Sequence, residues 1–350
     1  MTERKGKRRR ERRKRICAAL LLTVCTLVSG CSFPGSEDFR EDSQEDAAGD
    51  KISVVTTIFP QYDFVRQVAG DRVDLKMLLK PGEESHSYEP TPQDIIAIQN
   101  CDIFIYVGGE NDVWVEDILD SMPDAGMQTL RLMDYVDTVE EEHVQGMEEQ
   151  PGHTHARDDG EEEADHSVHE IDEHVWTSPE NASLIVARIA ELLSEEDPAN
   201  AGVYESNASA YEKELERLDQ KFREIVDSAE RNLIIFGDRF PFRYFADAYG
   251  LEYYAAFPGC ASDTEPSAAT MAFLIRKAEE EKVPAVLKME LSSDNIANAV
   301  AEAAGVDVKV FYSCHNLSAE QFENGETYLS MMEKNAETLK EVLNDGADQM

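Results

Sequence analysis

Imidazole nitrogen is a preferred ligand for zinc and its neighbours in the transition series, and the eight histidines of this 350-residue chain are unevenly spread. His143, His153, His155, His166 and His169 fall in the segment 138–176, and His174 closes it in Asp172-Glu173-His174-Val175-Trp176. The segment carries fourteen carboxylates and one basic side chain, Arg157. With so few large apolar residues it cannot offset its ordering entropy, so it reads as a mobile loop whose histidines collect metal weakly. A solvated acidic linker with incidental histidines is the plainer alternative. The two remaining histidines stand in loops of different character. His86 lies in Pro81-Gly82-Glu83-Glu84-Ser85-His86-Ser87-Tyr88-Glu89-Pro90, and His315 in Phe311-Tyr312-Ser313-Cys314-His315-Asn316. A single loop histidine is commonly surface decoration. Three that follow strands or rejoin the fold near one suggest ligands converging on a cleft.

The elements that would position them alternate along the chain. Apolar runs at 52–59, 73–79, 103–107 and 129–133 read as strands, with helical patterns between them near 60–69, from Pro92 and at 111–119. After the histidine-rich tract, 182–193 is helical, and Asp197-Pro198 is expected to cap and open the longest helix. Tyr204, Ala208, Tyr211, Leu215, Leu218, Phe222 and Ile225 form one apolar stripe on it, roughly 45 Å long; a coiled-coil dimer is the competing explanation. A second series follows, with strands at 233–236, 251–257, 285–289 and 306–311 and helices near 241–249, 267–280, 293–304 and 326–343. The fold class is therefore α/β. Two α/β lobes with mainly parallel sheets, 51–196 and 230–350, are joined by a long connecting helix at 197–229. The expected site is the cleft between the lobes.

Residues 2–15 carry ten Lys or Arg and precede an apolar run from Ile16 to Val28, the pattern of a secretory signal occupying 1–30. Val28-Ser29-Gly30-Cys31 resembles the lipobox of bacterial lipoproteins, which implies lipidation at Cys31 and anchorage on the extracytoplasmic face of the cell membrane. Residues 31–50 read as a flexible tether. The formal net charge of −39 excludes a nucleic-acid partner, since phosphate binding needs a basic footprint. Of the cysteines beyond the anchor, Cys260 and Cys314 are the expected disulfide, because Cys101 sits at the mouth of a buried strand where a thiol behaves as a small apolar group.

At the histidines the chain resembles the cluster A-I metal-binding lipoproteins that feed ABC importers for zinc or manganese. Gly82, His86, Tyr88, Pro90 and Pro92 match one family pattern, and Asp172-Glu173-His174-Val175-Trp176 matches another with Glu173 in place of proline. A histidine-rich acidic insertion is similar to the loop of the zinc-specific members. The resemblance implies two α/β lobes with little hinge motion, metal held between them, and a membrane permease as partner to a monomeric receptor. It also places a third ligand of the second lobe where this chain has Arg239, which stays protonated and cannot coordinate a cation. The expected set is His86, His174 and His315, with Asp238 or water as the fourth group. That set suits Zn2+, with Mn2+ the alternative. A zinc-dependent hydrolase with Glu290 or Asp238 as general base, and a surface adhesin, are readings of other classes.

Overall fold

The computed structural model describes residues 51–84, 88–122, 126–148, 171–261 and 265–344. The expected leader, the tether and Cys31 lie outside the described residues.

The first lobe is a four-stranded parallel sheet of β1 (Ile52–Thr56), β2 (Val73–Met77), β3 (Ile103–Tyr106) and β4 (Gln128–Arg131). Its order is β2-β1-β3-β4. Helices α1 (Phe59–Ala69), α2 (Pro92–Asn100) and α3 (Val113–Ser121) lie between the strands. β3 is buried along its whole length, as Ile-Phe-Ile-Tyr requires when both faces of a parallel sheet are covered. The second lobe repeats the arrangement with β5 (Leu233–Phe240), β6 (Glu252–Pro258), β7 (Ala285–Lys288) and β8 (Asp307–Val310), all parallel, in the order β6-β5-β7-β8. Its helices are α6 (Arg243–Tyr249), α7 (Ala268–Glu281) and α8 (Asn295–Ala304), followed by the short α9 (Ala319–Glu323) and the closing α10 (Tyr328–Leu343).

Between the lobes run α4 (Pro179–Glu196) and α5 (Ala201–Asp227). The apolar stripe read from the sequence is the buried face of α5, which packs on α1, α4 and α10. One apolar cluster passes through both lobes, from Val54 and Phe64 by way of Leu218 and Phe222 to Phe236 and Phe311. A core continuous across a junction resists hinge opening, because opening would expose it to water. The long helix begins later than Asp197-Pro198 predicts. The backbone N–H of Asp197 ends α4 on Leu193, and its carboxylate accepts from Asn200 at 2.6 Å and from the Tyr204 hydroxyl at 2.8 Å. Asp197 thus builds the turn between two helices rather than capping the second.

Candidate metal centre

Both sheets have their crossover at the middle pair, β1 with β3 and β5 with β7, and the carboxyl ends of those strands are where such a fold leaves a crevice. Two adjoining cavities occupy that place. One is lined by His174, His315, Glu84, Arg239, Glu290 and Ser313 among others. The other is lined by Thr57, Tyr88, Asp112, Trp114, Glu173 and Trp176, and His315 forms part of its wall too. The rings of His174 and His315 are 5.5 Å apart and nearly perpendicular, and Trp176 lies 5.5 Å from the first and 5.0 Å from the second. One imidazole arrives on the chain leaving the first lobe and the other on the loop after β8, so the structure brings these two sequence candidates together. Among the described residues, no three His, Cys, Asp or Glu side chains form a group able to hold a metal ion. His86 lies outside the described residues, between Glu84 and Tyr88, which line the two cavities.

The His174 ring and the His315 backbone are each fixed by a defined neighbour. Asp172 accepts the backbone N–H of His174 at 2.8 Å, and the same oxygen lies 3.1 Å from Nδ1 of the ring, so Nε2 is the nitrogen a metal would take. Burial opposes charging this ring, but Asp172, Glu173 and Glu141 outweigh it and raise its pKa above the ordinary value near 6.5. His315 is aimed by Glu290, whose two oxygens accept the backbone N–H of Ser313 at 2.7 Å and its hydroxyl at 2.8 Å. The Ser313 hydroxyl in turn accepts the His315 backbone N–H at 3.2 Å. Burial lifts the Glu290 carboxyl to about 7. Trp176 closes the frame by donating its indole N–H to the Ser313 carbonyl at 2.8 Å. Leu291 and Cys314, neighbours of Glu290 and His315, both have φ near +60°, a conformation costing roughly 1–2 kcal/mol for a residue with a side chain. Strain of this kind gathers where surrounding structure fixes functional groups.

Three expectations need correction. Asp238 is turned away from the cavity: its carboxylate accepts the backbone N–H groups of Arg239 at 2.8 Å and Met289 at 3.0 Å, and the Ser292 hydroxyl. The register of β5 against β6 shifts between Phe236 and Arg239, and Gly237 lies where a Cβ would meet the Ala297 backbone at 2.5 Å. Cys260 and Cys314 are free thiols, as is Cys101. Cys314 is wholly buried in the core shared by the lobes, whereas Cys260 lies in the loop after β6 with its N–H on Glu141 at 2.9 Å. Finally, the histidine-rich tract has an ordered stem. Glu140 bridges Ile171, and the Glu148 N–H reaches the Ala256 carbonyl at 2.9 Å. The Glu148 carboxylate accepts from Ser267 N–H at 2.7 Å and the Thr270 hydroxyl at 2.9 Å, at the start of α7. His143, on this stem, is exposed, and His153, His155, His166 and His169 lie outside the described residues.

Residues 54–342 match the family described as the zinc-uptake complex component A, periplasmic (ZnuA). The chain belongs to the ZnuA family. It is 34% identical over 334 residues to the high-affinity zinc uptake system protein ZnuA of Bacillus subtilis, covering 94% of this chain and 98% of that one. It is also 34% identical to the zinc-binding lipoprotein AdcA of Streptococcus pneumoniae, covering 92% of this chain but 60% of AdcA. The crystal structure of the Zn(II)-bound ZnuA-like domain of that AdcA matches with a TM-score of 0.68 at 31% identity, over 84% of this chain and 99% of that domain.

Within this ZnuA-family frame, Glu173, which departs from the proline of the family pattern, has a visible role. It accepts the Asn111 backbone N–H at 3.0 Å and the Asn111 amide at 2.8 Å, and packs so closely that a Cβ on Gly109 would lie 2.5 Å from it. It ties the residue before His174 to the turn after β3. The sequence reading considered Glu290 only as a general base and missed its hold on the His315 loop; its place directly after a buried strand was the available signal.

Proposed function

We propose that this ZnuA-family chain is the extracytoplasmic zinc receptor of an ABC importer, capturing Zn2+ between its lobes and delivering it to a membrane permease. His86, His174 and His315 serve as the protein ligands. The observation that carries this reading is the pair of imidazoles, one from each half of the chain, 5.5 Å apart on one cavity at the strand ends. The zinc named in the descriptions of its relatives supports the choice of metal. Neutral imidazoles with one further oxygen or water suit the near-tetrahedral preference of zinc, whereas manganese favours carboxylate and water oxygens. Residues 1–30 act as the leader and Cys31 as the acylated anchor.

The decisive measurement is metal content and affinity of the protein purified from residue 32 onward, with zinc and manganese supplied together. One zinc per chain is expected, bound in preference to manganese. His174→Ala and His315→Ala are each expected to weaken zinc by at least about 100-fold, since each removes one of few ligands. Unchanged affinity in both variants, or a preference for manganese, overturns the assignment. Loss of palmitate labelling in Cys31→Ser cells tests the anchor.

A further inference from the structure

Arg239 is 6% exposed at the carboxyl end of β5, and a guanidinium at that depth needs partners. It has two, on different parts of the molecule. One terminal nitrogen donates to the Ala261 carbonyl in its own lobe, and the other to Glu84 of the first lobe, each at 3.3 Å. Glu84 lies in the loop after β2, whose residues 80–84 are fastened to the second lobe at several further points. The Asn316 amide donates to the carbonyls of Lys80 at 2.9 Å and Glu83 at 2.8 Å, and the Gly82 N–H donates to the Leu317 carbonyl at 2.8 Å. Glu84, Arg239, His174 and His315 line one cavity. We propose that the Arg239–Glu84 pair is a clamp between the lobes that sets the 80–84 loop at the cavity before metal arrives. Arg239 is then a positioning residue for zinc capture, at the place where a coordinating side chain is expected. The part concerning capture rests on the zinc-receptor reading above.

The fork geometry matters as well as the charge. Two acceptors in different lobes are reached by two nitrogens of one planar group, which a lysine ammonium cannot reproduce. Because the two side chains share one contact, the part of each effect that comes from that contact should not add. The test compares the wild-type chain with Glu84→Gln, Arg239→Gln, Arg239→Lys and the Glu84→Gln/Arg239→Gln double variant. It reads amide hydrogen exchange of the 80–84 segment without metal, and zinc affinity by chelator competition. Each single replacement, Arg239→Lys included, is expected to speed exchange and to weaken zinc roughly tenfold, with the double variant no worse than the poorer single. Unchanged exchange in metal-free Glu84→Gln, or single effects that multiply in the double variant, overturns the clamp. Glu84 is half-exposed, so its variant carries the test even where replacing buried Arg239 prevents folding. If the wild-type chain binds no zinc, the receptor reading and the capture clause fall together, and exchange in the metal-free chain still decides whether the clamp exists.

Discussion

On the zinc-receptor reading His174 binds metal as neutral imidazole, while the carboxylates around it raise its pKa and favour the protonated form. The consequence has a definite sign. With its pKa raised in the folded chain, His174 adds stability to the metal-free protein below the unfolded value near 6.5, and that contribution is lost as pH rises through the folded value. Zinc must displace the proton, so affinity should climb across the same interval and binding should release protons. Calorimetry in two buffers of different ionisation heat checks this; an observed heat independent of buffer would contradict it. Asp172→Asn removes the main charge holding the ring and is expected to weaken zinc by roughly 10–100-fold. His174 and His315 each stand where a strand or an ordered segment meets a loop, which marks them in the sequence, and their rings lie 5.5 Å apart. Adjacency to Arg239 says nothing of which way the Asp238 side chain turns, and its carboxylate is taken up by Arg239, Met289 and Ser292. The cysteine pairing misled because two thiols remaining after simpler uses are removed need not be neighbours.

At the scale of elements, periodicity carried most of the information. All seven stripe residues of α5 are buried, since a long amphipathic helix writes its packing face directly into the sequence. Phe222 lies 4.8 Å from Phe245 and 5.3 Å from Tyr249, ring to ring. Phe222→Ala should therefore cost about 3–5 kcal/mol in unfolding free energy, measured by denaturant titration. The stem of the histidine-rich tract was not legible. It docks through single contacts, such as Glu148 at the start of α7 and Gly146 beneath the Phe273 ring, and polar contacts of this kind leave no period. Its geometry nevertheless separates two deletions that look alike on paper. Replacing 149–170 by a short glycine linker should leave the melting temperature within about 2 °C, because Glu140 and Ile171 are already bridged. Extending the deletion to 140–171 removes the docked stem and should lower it by several degrees, about 1–2 kcal/mol of lost contacts. Equal melting temperatures for the two would show that the stem adds nothing. The short α9 was missed despite its Ser318 and Gln321 capping box, whose sequence signal was present.

The whole molecule adds what no single contact supplies. A net charge of −39 sets up an attractive field for divalent cations that dissolved salt screens. Zinc association followed by stopped flow should slow several-fold between about 10 mM and 150 mM salt, with dissociation changing much less. A rate indifferent to salt would mean that capture is limited by a step inside the protein. The two-lobed architecture could be read from alternating strands and helices, yet the identical strand order of the two sheets could not. Their sequences share no close repeat, and parallel order is set by long-range crossovers that leave no local trace.

Only two tryptophans exist in the chain, and Trp176 has its ring within 5.5 Å of both imidazoles while its N–H is fixed to the Ser313 carbonyl. On the zinc-receptor reading the chain thus carries an optical probe at the point of capture. Placing a divalent charge beside that indole should shift or quench its emission, and the signal should vanish in Trp176→Phe while persisting in Trp114→Phe. Filling of the cleft could then be timed on the unlabelled protein.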